Sequence, residues 1–271
     1  MTSHRLLAAV IFLPMAAFSA DARLAKCEAI WDHLYTDSIA GGRTQDNAAL
    51  LKSWQDHEPT CRGTGAYEFR LAVIQMALGN LKTALELLNR ASGWPPQCAK
   101  FAALLKLQVQ LRVFGAQTPL PIDKVRALKP QFLAAAANVS DAPTAGQQVA
   151  NYLMLIGDYA EAIPYAERSL KLYDQQWEPN RSLAIAYSHT GNFSGAAFAG
   201  RRAQELRNSL IKDPEFMYAV TRGYAGVGNI KVAEMTLAIL NQEVPSEHGS
   251  KDWSEAIAFI RAQIAAGNRK N

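Results

Sequence analysis

One short pattern occurs four times in this chain and restricts its fold more than any other feature. Gly79-Asn80-Leu81 precedes Ala84, Gly157-Asp158-Tyr159 precedes Ala162, Gly191-Asn192-Phe193 precedes Ala196, and Gly228-Asn229-Ile230 precedes Ala233. The glycines are 78, 34 and 37 residues apart, a period near 34 with one copy skipped. Self-similarity at that period marks a stacked helical array, in which each unit is a helix pair that buries its apolar face only against neighbours. The physics of one unit is legible. Glycine ends a helix because it enters the left-handed region without a Cβ penalty. The Asn or Asp beside it is suited to cap the next helix by accepting a backbone N–H. The bulky residue that follows packs into the hinge, and the Ala three residues later lets the two helices approach closely.

Other positions keep the same register. Eight residues before each turn glycine stands a large apolar residue, Leu71, Val149, Leu183 or Val220, and seven before stands a small one, Ala72, Ala150, Ala184 or Thr221. Twelve after stands Ala91, Ser169, Ala203 or Leu240, and Tyr187 and Tyr224 fall four before their glycines. Large and small residues alternating in this way let antiparallel helices interdigitate.

This constellation resembles the tetratricopeptide repeat (TPR), with units at 66–96, 144–174, 177–209 and 214–245. Pro96 and Pro245 stand where that family often places a terminating proline. Three features depart from the pattern. The early aromatic of the first helix is present only in the first unit, as Phe69 one residue off. Gly200 replaces a bulky residue in the third second-helix, and Pro164 falls inside a second-helix and should kink it. The resemblance implies an all-α solenoid of antiparallel helix pairs wound as a right-handed superhelix. It also implies a groove lined by first-helix residues, which register maps to Gln147, Asn151, Arg181, Ser188, His189, Tyr218 and Arg222. That set does not reproduce the Lys/Asn clamp by which some relatives hold a C-terminal carboxylate, but Arg181 and Arg222 suit an acidic partner segment.

The rest of the chain is read around these units. Residues 1–22 read as an export signal: Arg5 supplies a positive start, and Leu6–Phe18 is an apolar run too short to span a bilayer comfortably. Residues 23–65 read as an N-terminal cap or degenerate repeat with helices over 23–35 and 46–57 around a Gly41-Gly42 loop. The array spans 66–249, with 98–140 as a decayed repeat in which Gly115 stands where a turn glycine would and helix resumes over 122–138. Residues 250–271 hold a capping helix with Trp253, Ile257, Ile260 and Ile264 on one stripe and Asp252 and Glu255 at capping-box spacing.

The chain has three cysteines, Cys27, Cys61 and Cys98, spaced 34 and 37 residues apart, close to the repeat period. Stacking would bring any neighbouring pair near one end of successive hairpins; Cys27–Cys61 is the favoured bridge, with Cys61–Cys98 the alternative and a buried Cys27 thiol the competing reading.

Chemistry is sparse. His4, His33, His57, His189 and His248 make no metal-ligand spacing, and CxxC, HExxH, phosphate-loop and G-x-S-x-G motifs are missing from the sequence. Gly223-x-x-Gly226-x-Gly228 lies at the end of a repeat helix, so it reads as packing rather than nucleotide binding. Sequons at Asn138, Asn180 and Asn192 matter only in a glycosylating host. A net charge of +4 with scattered basic residues gives no nucleic-acid footprint. The expectation is an exported, periplasmic or secreted scaffold with no catalytic residue, metal or cofactor and no integral span after signal cleavage, which binds a protein or peptide. A cell-wall glycan-binding module and a regulatory subunit of an envelope enzyme complex are the alternatives, the former weakened because Trp31, Trp54 and Trp253 fall on apolar helix faces.

Overall fold

The computed structural model describes residues 22–39, 46–90, 94, 96–243 and 251–268. The export-signal expectation, the Gly41-Gly42 loop, Ala91, Pro245, His4, His248 and the side chains of Asp252, Trp253 and Glu255 lie outside the described residues. Those described are mostly helical, with turns and short irregular connections between helices and no strand among them. The chain forms two compact units, residues 1–139 and 140–271. The division falls inside the span expected to be one array, between Val139 and Ser140, just ahead of the Asp141-Ala142-Pro143 break.

In the first unit, α1 (Ala22–Ile39), α2 (Asn47–Gln55) and the short α3 (Glu58–Cys61) pack against one another and against α4 (Ala66–Ala77). Their shared core is aromatic. Trp31 meets Trp54 edge-on with centroids 5.3 Å apart, and Trp54 stacks on Tyr67 at 5.3 Å. The buried indole N–H of Trp54 donates to the Tyr67 carbonyl at 3.2 Å. The Sγ atoms of Cys27 and Cys61 lie 2.12 Å apart, bonded, and both residues are fully buried. Cys98 is a free, buried thiol, pushed up to about 11 by burial and then by the nearby Glu28 carboxylate. Beside it Arg70 (2% exposed) donates to Glu28 at 2.9 Å, with its guanidinium 5.0 Å from the Trp31 ring centroid.

α4 begins where the Glu68 carboxylate accepts from the backbone N–H groups of Gly63 at 2.7 Å and Gly65 at 3.0 Å. It pairs with α5 (Leu81–Leu88), and both contact α6 (Pro96–Gly115). Pro96 therefore opens a helix rather than closing a unit, which suits a residue whose missing N–H would be unsatisfied in the first turn anyway. Gly115 is not a left-handed turn glycine: it lies in the last turn of α6, and Ala116 still donates to Arg112 at 3.1 Å. The helix expected over 122–138 is two, α7 (Ile122–Arg126) and α8 (Lys129–Ala137), with Pro130 in the first turn of the latter. α8 packs on α6, so 98–140 holds a helix pair joined by an enlarged turn.

The second unit is the more regular. It runs α9 (Pro143–Leu155), α10 (Tyr159–Leu172), α11 (Trp177–Thr190), α12 (Phe193–Leu206), a 3-10 turn (Asn208–Lys212), α13 (Pro214–Gly226), α14 (Ile230–Glu243) and α15 (Lys251–Asn268). From α9 to α14 each helix packs on the next, and α9, α11, α13 and α15 contact one another in series. That nearest-neighbour scheme defines a solenoid. α10 continues through Pro164 without interruption. α15 contacts α13 as well as α14, taking the place of a further first helix, with Ile260 and Ile264 buried and Ile257 half-buried.

The four pattern turns share one backbone solution. Gly79, Gly157, Gly191 and Gly228 have φ of +82°, +87°, +81° and +77°. The following Asn or Asp N–H reaches back five residues, to Gln75, Leu153, Tyr187 and Tyr224 carbonyls at 2.8–2.9 Å. These are Schellman ends, which satisfy carbonyls the helix leaves open. Side-chain capping is less uniform than expected. Asn192 accepts from Gly195 N–H at 3.0 Å and Asn229 from Val232 N–H at 3.4 Å, but the Asn80 amide turns to Gln75, and Asp158 makes no such cap. Behind the turns Ala84, Ala162, Ala196 and Ala233 are at most 1% exposed.

Candidate functional site

First-helix positions of the second unit bring the groove residues onto successive helices, α9, α11 and α13. At one end the Gln147 side-chain amide donates to the Asn151 amide oxygen at 2.8 Å and to the Ser182 hydroxyl at 3.0 Å; Ser182 in turn donates to Asn151 at 3.0 Å. Gln147 is only 3% exposed, and its own amide oxygen is buried without a hydrogen-bond partner. Ser188, fully buried, likewise has an unpartnered hydroxyl, so it faces the interior and not the groove.

Arg181 is committed within the chain. Its Nε donates to Asp213 at 2.7 Å and its Nη2 to Glu215 at 3.1 Å, with the side chain 15% exposed. Burial alone would lower its pKa; the two carboxylates more than offset this and raise it. Asp213 also caps α13, accepting from Phe216 N–H at 3.2 Å. The expectation that Arg181 awaits a partner's carboxylate is therefore corrected, because two intrachain acids already occupy it. Glu215 lies 34 residues after Arg181, one repeat on, and opposite charges at the repeat spacing were the signal that could have found the pair.

Arg222 differs. It is half-buried, and its guanidinium carbon lies 5.5 Å from the centroid of Phe193 and 5.1 Å from that of Phe259. Its Nε is buried and unpartnered. His189, at the end of α11, stacks flat on Tyr159, with centroids 3.8 Å apart and planes within 3°. Burial, and then the Arg222 charge, lower the His189 pKa. Burial, and then Glu215, raise that of Tyr159. Tyr218, half-buried one turn before Arg222, completes the set. Tyr159 and Phe193 were legible only as hinge residues. Each extends from the turn it packs toward this cluster. Phe259, from α15, carried no sequence signal for the site.

The Gly-rich stretch is occupied by packing. A Cβ on Gly223 would stand 2.8 Å from the Ala197 backbone nitrogen, and one on Gly226 2.3 Å from the Phe193 ring. Asn180, a sequon residue, is 4% exposed and donates to the Gln176 carbonyl at 2.7 Å. Among the described residues there is no group of three or more His, Cys, Asp or Glu placed to hold a metal, and no helix long and apolar enough to cross a membrane.

No protein-family model matches the sequence, and no curated protein does. Solved structures do. YrrB, described as a TPR protein with an unusual peptide-binding site, is 14% identical with a TM-score of 0.52, over 72% of this chain and 94% of that one. MamA of MSR-1 is 14% identical with a TM-score of 0.49, over 66% and 95%. TTC0263, a thermophilic TPR protein of Thermus thermophilus, is 18% identical with a TM-score of 0.45, over 75% and 98%. The likeness to YrrB, added to four Schellman-ended helix pairs in one register, identifies the fold: the chain is an all-α solenoid of tetratricopeptide-repeat type.

Proposed function

We propose that this protein is an exported, non-enzymatic scaffold that binds a segment of another protein along the first-helix face of residues 140–271. The observation that carries the reading is that face itself. Along α9, α11 and α13 lie the Asn151 amide, the His189 and Tyr218 rings and the Arg222 guanidinium, and among the described residues no acid is paired with Arg222. A face of that composition suits a peptide, whose backbone and side chains need both polar and apolar contacts. YrrB, which has the same fold, is described as having a peptide-binding site. The glycan alternative loses support because Trp31 and Trp54 are 3% and 0% exposed. Export is supported by the charged start and apolar run of residues 1–22, and by the Cys27–Cys61 bond, since disulfides persist in oxidising compartments.

The test is recovery of a partner from the native extract by immobilised protein. Tyr218→Glu, on the first-helix face, should reduce recovery at an unchanged circular dichroism spectrum. Met235→Glu, on α14 and 60% exposed, should leave recovery intact. The opposite pattern would refute the working face.

A further inference from the structure

We propose that Arg222, held between Phe193 and Phe259, is the seat for a side-chain carboxylate of an acidic partner segment. This rests on the scaffold reading above and names the chemistry of its partner. The contrast with Arg181 carries the argument. Both arginines project from first helices of the second unit. Arg181 is met by Asp213 and Glu215, at 2.7 and 3.1 Å. Arg222 is met by two phenyl rings, which face a cation with their negative quadrupole but accept no conventional hydrogen bond. A guanidinium carries five donors in a planar fork matched to a carboxylate. Here the residue is half-buried and its Nε is buried without an acceptor. The two rings, at 5.5 and 5.1 Å, pack against the guanidinium and restrict its rotamers, so less freedom is lost when an anion arrives.

The surroundings choose the sign of the ligand. His189 is a neighbouring titratable group, close enough for the Arg222 charge to disfavour its protonation. Glu215, the acid that acts on Tyr159, is already bonded to Arg181. Among the described residues no carboxylate is paired with Arg222, and charge complementarity calls for an anion from a partner. Phe259 comes from α15, so the seat is assembled only when that helix is docked on α13.

The probe is fluorescein-labelled hexaglutamate, titrated with the full chain by fluorescence anisotropy at low ionic strength and neutral pH. Wild type should bind saturably, and a hexaglutamine probe should not bind. Arg222→Gln should weaken binding by at least about tenfold, the scale of one charge-assisted hydrogen bond. Phe259→Ala, at a residue 42% exposed and so safe for the fold, should weaken it severalfold. Arg207→Gln removes an arginine that also stacks on an aromatic ring, Trp177 at 4.1 Å, and should change nothing. The proposal is overturned if wild type shows no saturable binding, if Arg222→Gln binds as wild type does, if Arg207→Gln loses as much, or if equimolar inorganic phosphate displaces the peptide. Hexaglutamate binding indifferent to Arg222, with partner recovery still reduced by Tyr218→Glu, would remove the carboxylate seat and leave the scaffold standing. Recovery indifferent to Tyr218→Glu would remove the scaffold reading itself.

Discussion

Replacing Gly223 with Ala sets two effects of opposite sign against each other in α13. In an ordinary helix interior the change stabilises, because Ala surpasses Gly by roughly 0.8–1.0 kcal/mol in helix propensity. Gly223 is buried, and its backbone φ is not positive, so that gain is available in principle. The new methyl, however, would stand 2.8 Å from the Ala197 backbone nitrogen, 3.1 Å from the Ala196 Cβ and 3.2 Å from the Phe193 carbonyl oxygen. Two of these three are main-chain atoms of α12, which no rotamer change can move aside. α12 and α13 must separate, and overpacking of this kind costs about 1–3 kcal/mol. Since every contact lies below or near the limit for real Cβ atoms, the upper half of that range applies. The net expectation is a destabilisation of about 1–2 kcal/mol, which for a chain of this size lowers the melting temperature by about 2–4 °C per kcal/mol. Urea unfolding followed by circular dichroism reads it directly. A variant more stable than wild type would refute the close crossing of α12 and α13, since propensity alone would then be acting.

Three further outcomes follow from an ion pair, a disulfide and a histidine. Glu28→Ala should cost about 3–5 kcal/mol, because Arg70 is left charged at 2% exposure, and the double change Glu28→Gln with Arg70→Met should cost less than Glu28→Ala; equal losses in urea unfolding would contradict this. Reducing the Cys27–Cys61 bond should lower stability by about 3–4 kcal/mol for its 34-residue separation, and non-reducing mass mapping should find Cys98 as the free thiol; three free thiols in exported protein would oppose both the bond and the export. His189 is held below its ordinary value in the fold, so the folded state favours the neutral ring: its contribution is complete above the unfolded pKa of about 6.5 and declines as pH falls below it. His189→Gln should therefore lose less stability than wild type between about pH 7.5 and 5.5, and parallel losses would show that His189 does not titrate as described.

What was readable in the sequence was local backbone chemistry. A Gly that must adopt φ near +80°, with an Asn or Asp after it, specifies a Schellman end wherever it occurs, and an Ala at a close crossing has few substitutes. Side-chain destinations were less legible. Asn80 and Asn192 stand at equivalent positions, yet one bonds Gln75 and the other caps its helix, because a nearby amide competes for the first. Gly115 matched the period but belongs to α6, since periodicity alone does not show whether the following residues turn back. The register placed Arg181 and Arg222 on successive first helices and could not tell them apart. Their difference lies in Asp213 and Glu215 on one side and in Phe259, from a helix outside the repeat pattern, on the other.

The claim on which the account depends most is that the first-helix face of residues 140–271 does the binding. Site-specific photo-crosslinking in the native compartment addresses it whatever the partner is. A photoreactive residue replacing His189 or Tyr218 should give a discrete adduct that tryptic mapping assigns to an acidic segment of one protein. The same group replacing Phe198 or Met235, which are 65% and 60% exposed on α12 and α14, should give none. Adducts from positions 198 and 235 with none from 189 and 218 would contradict the account.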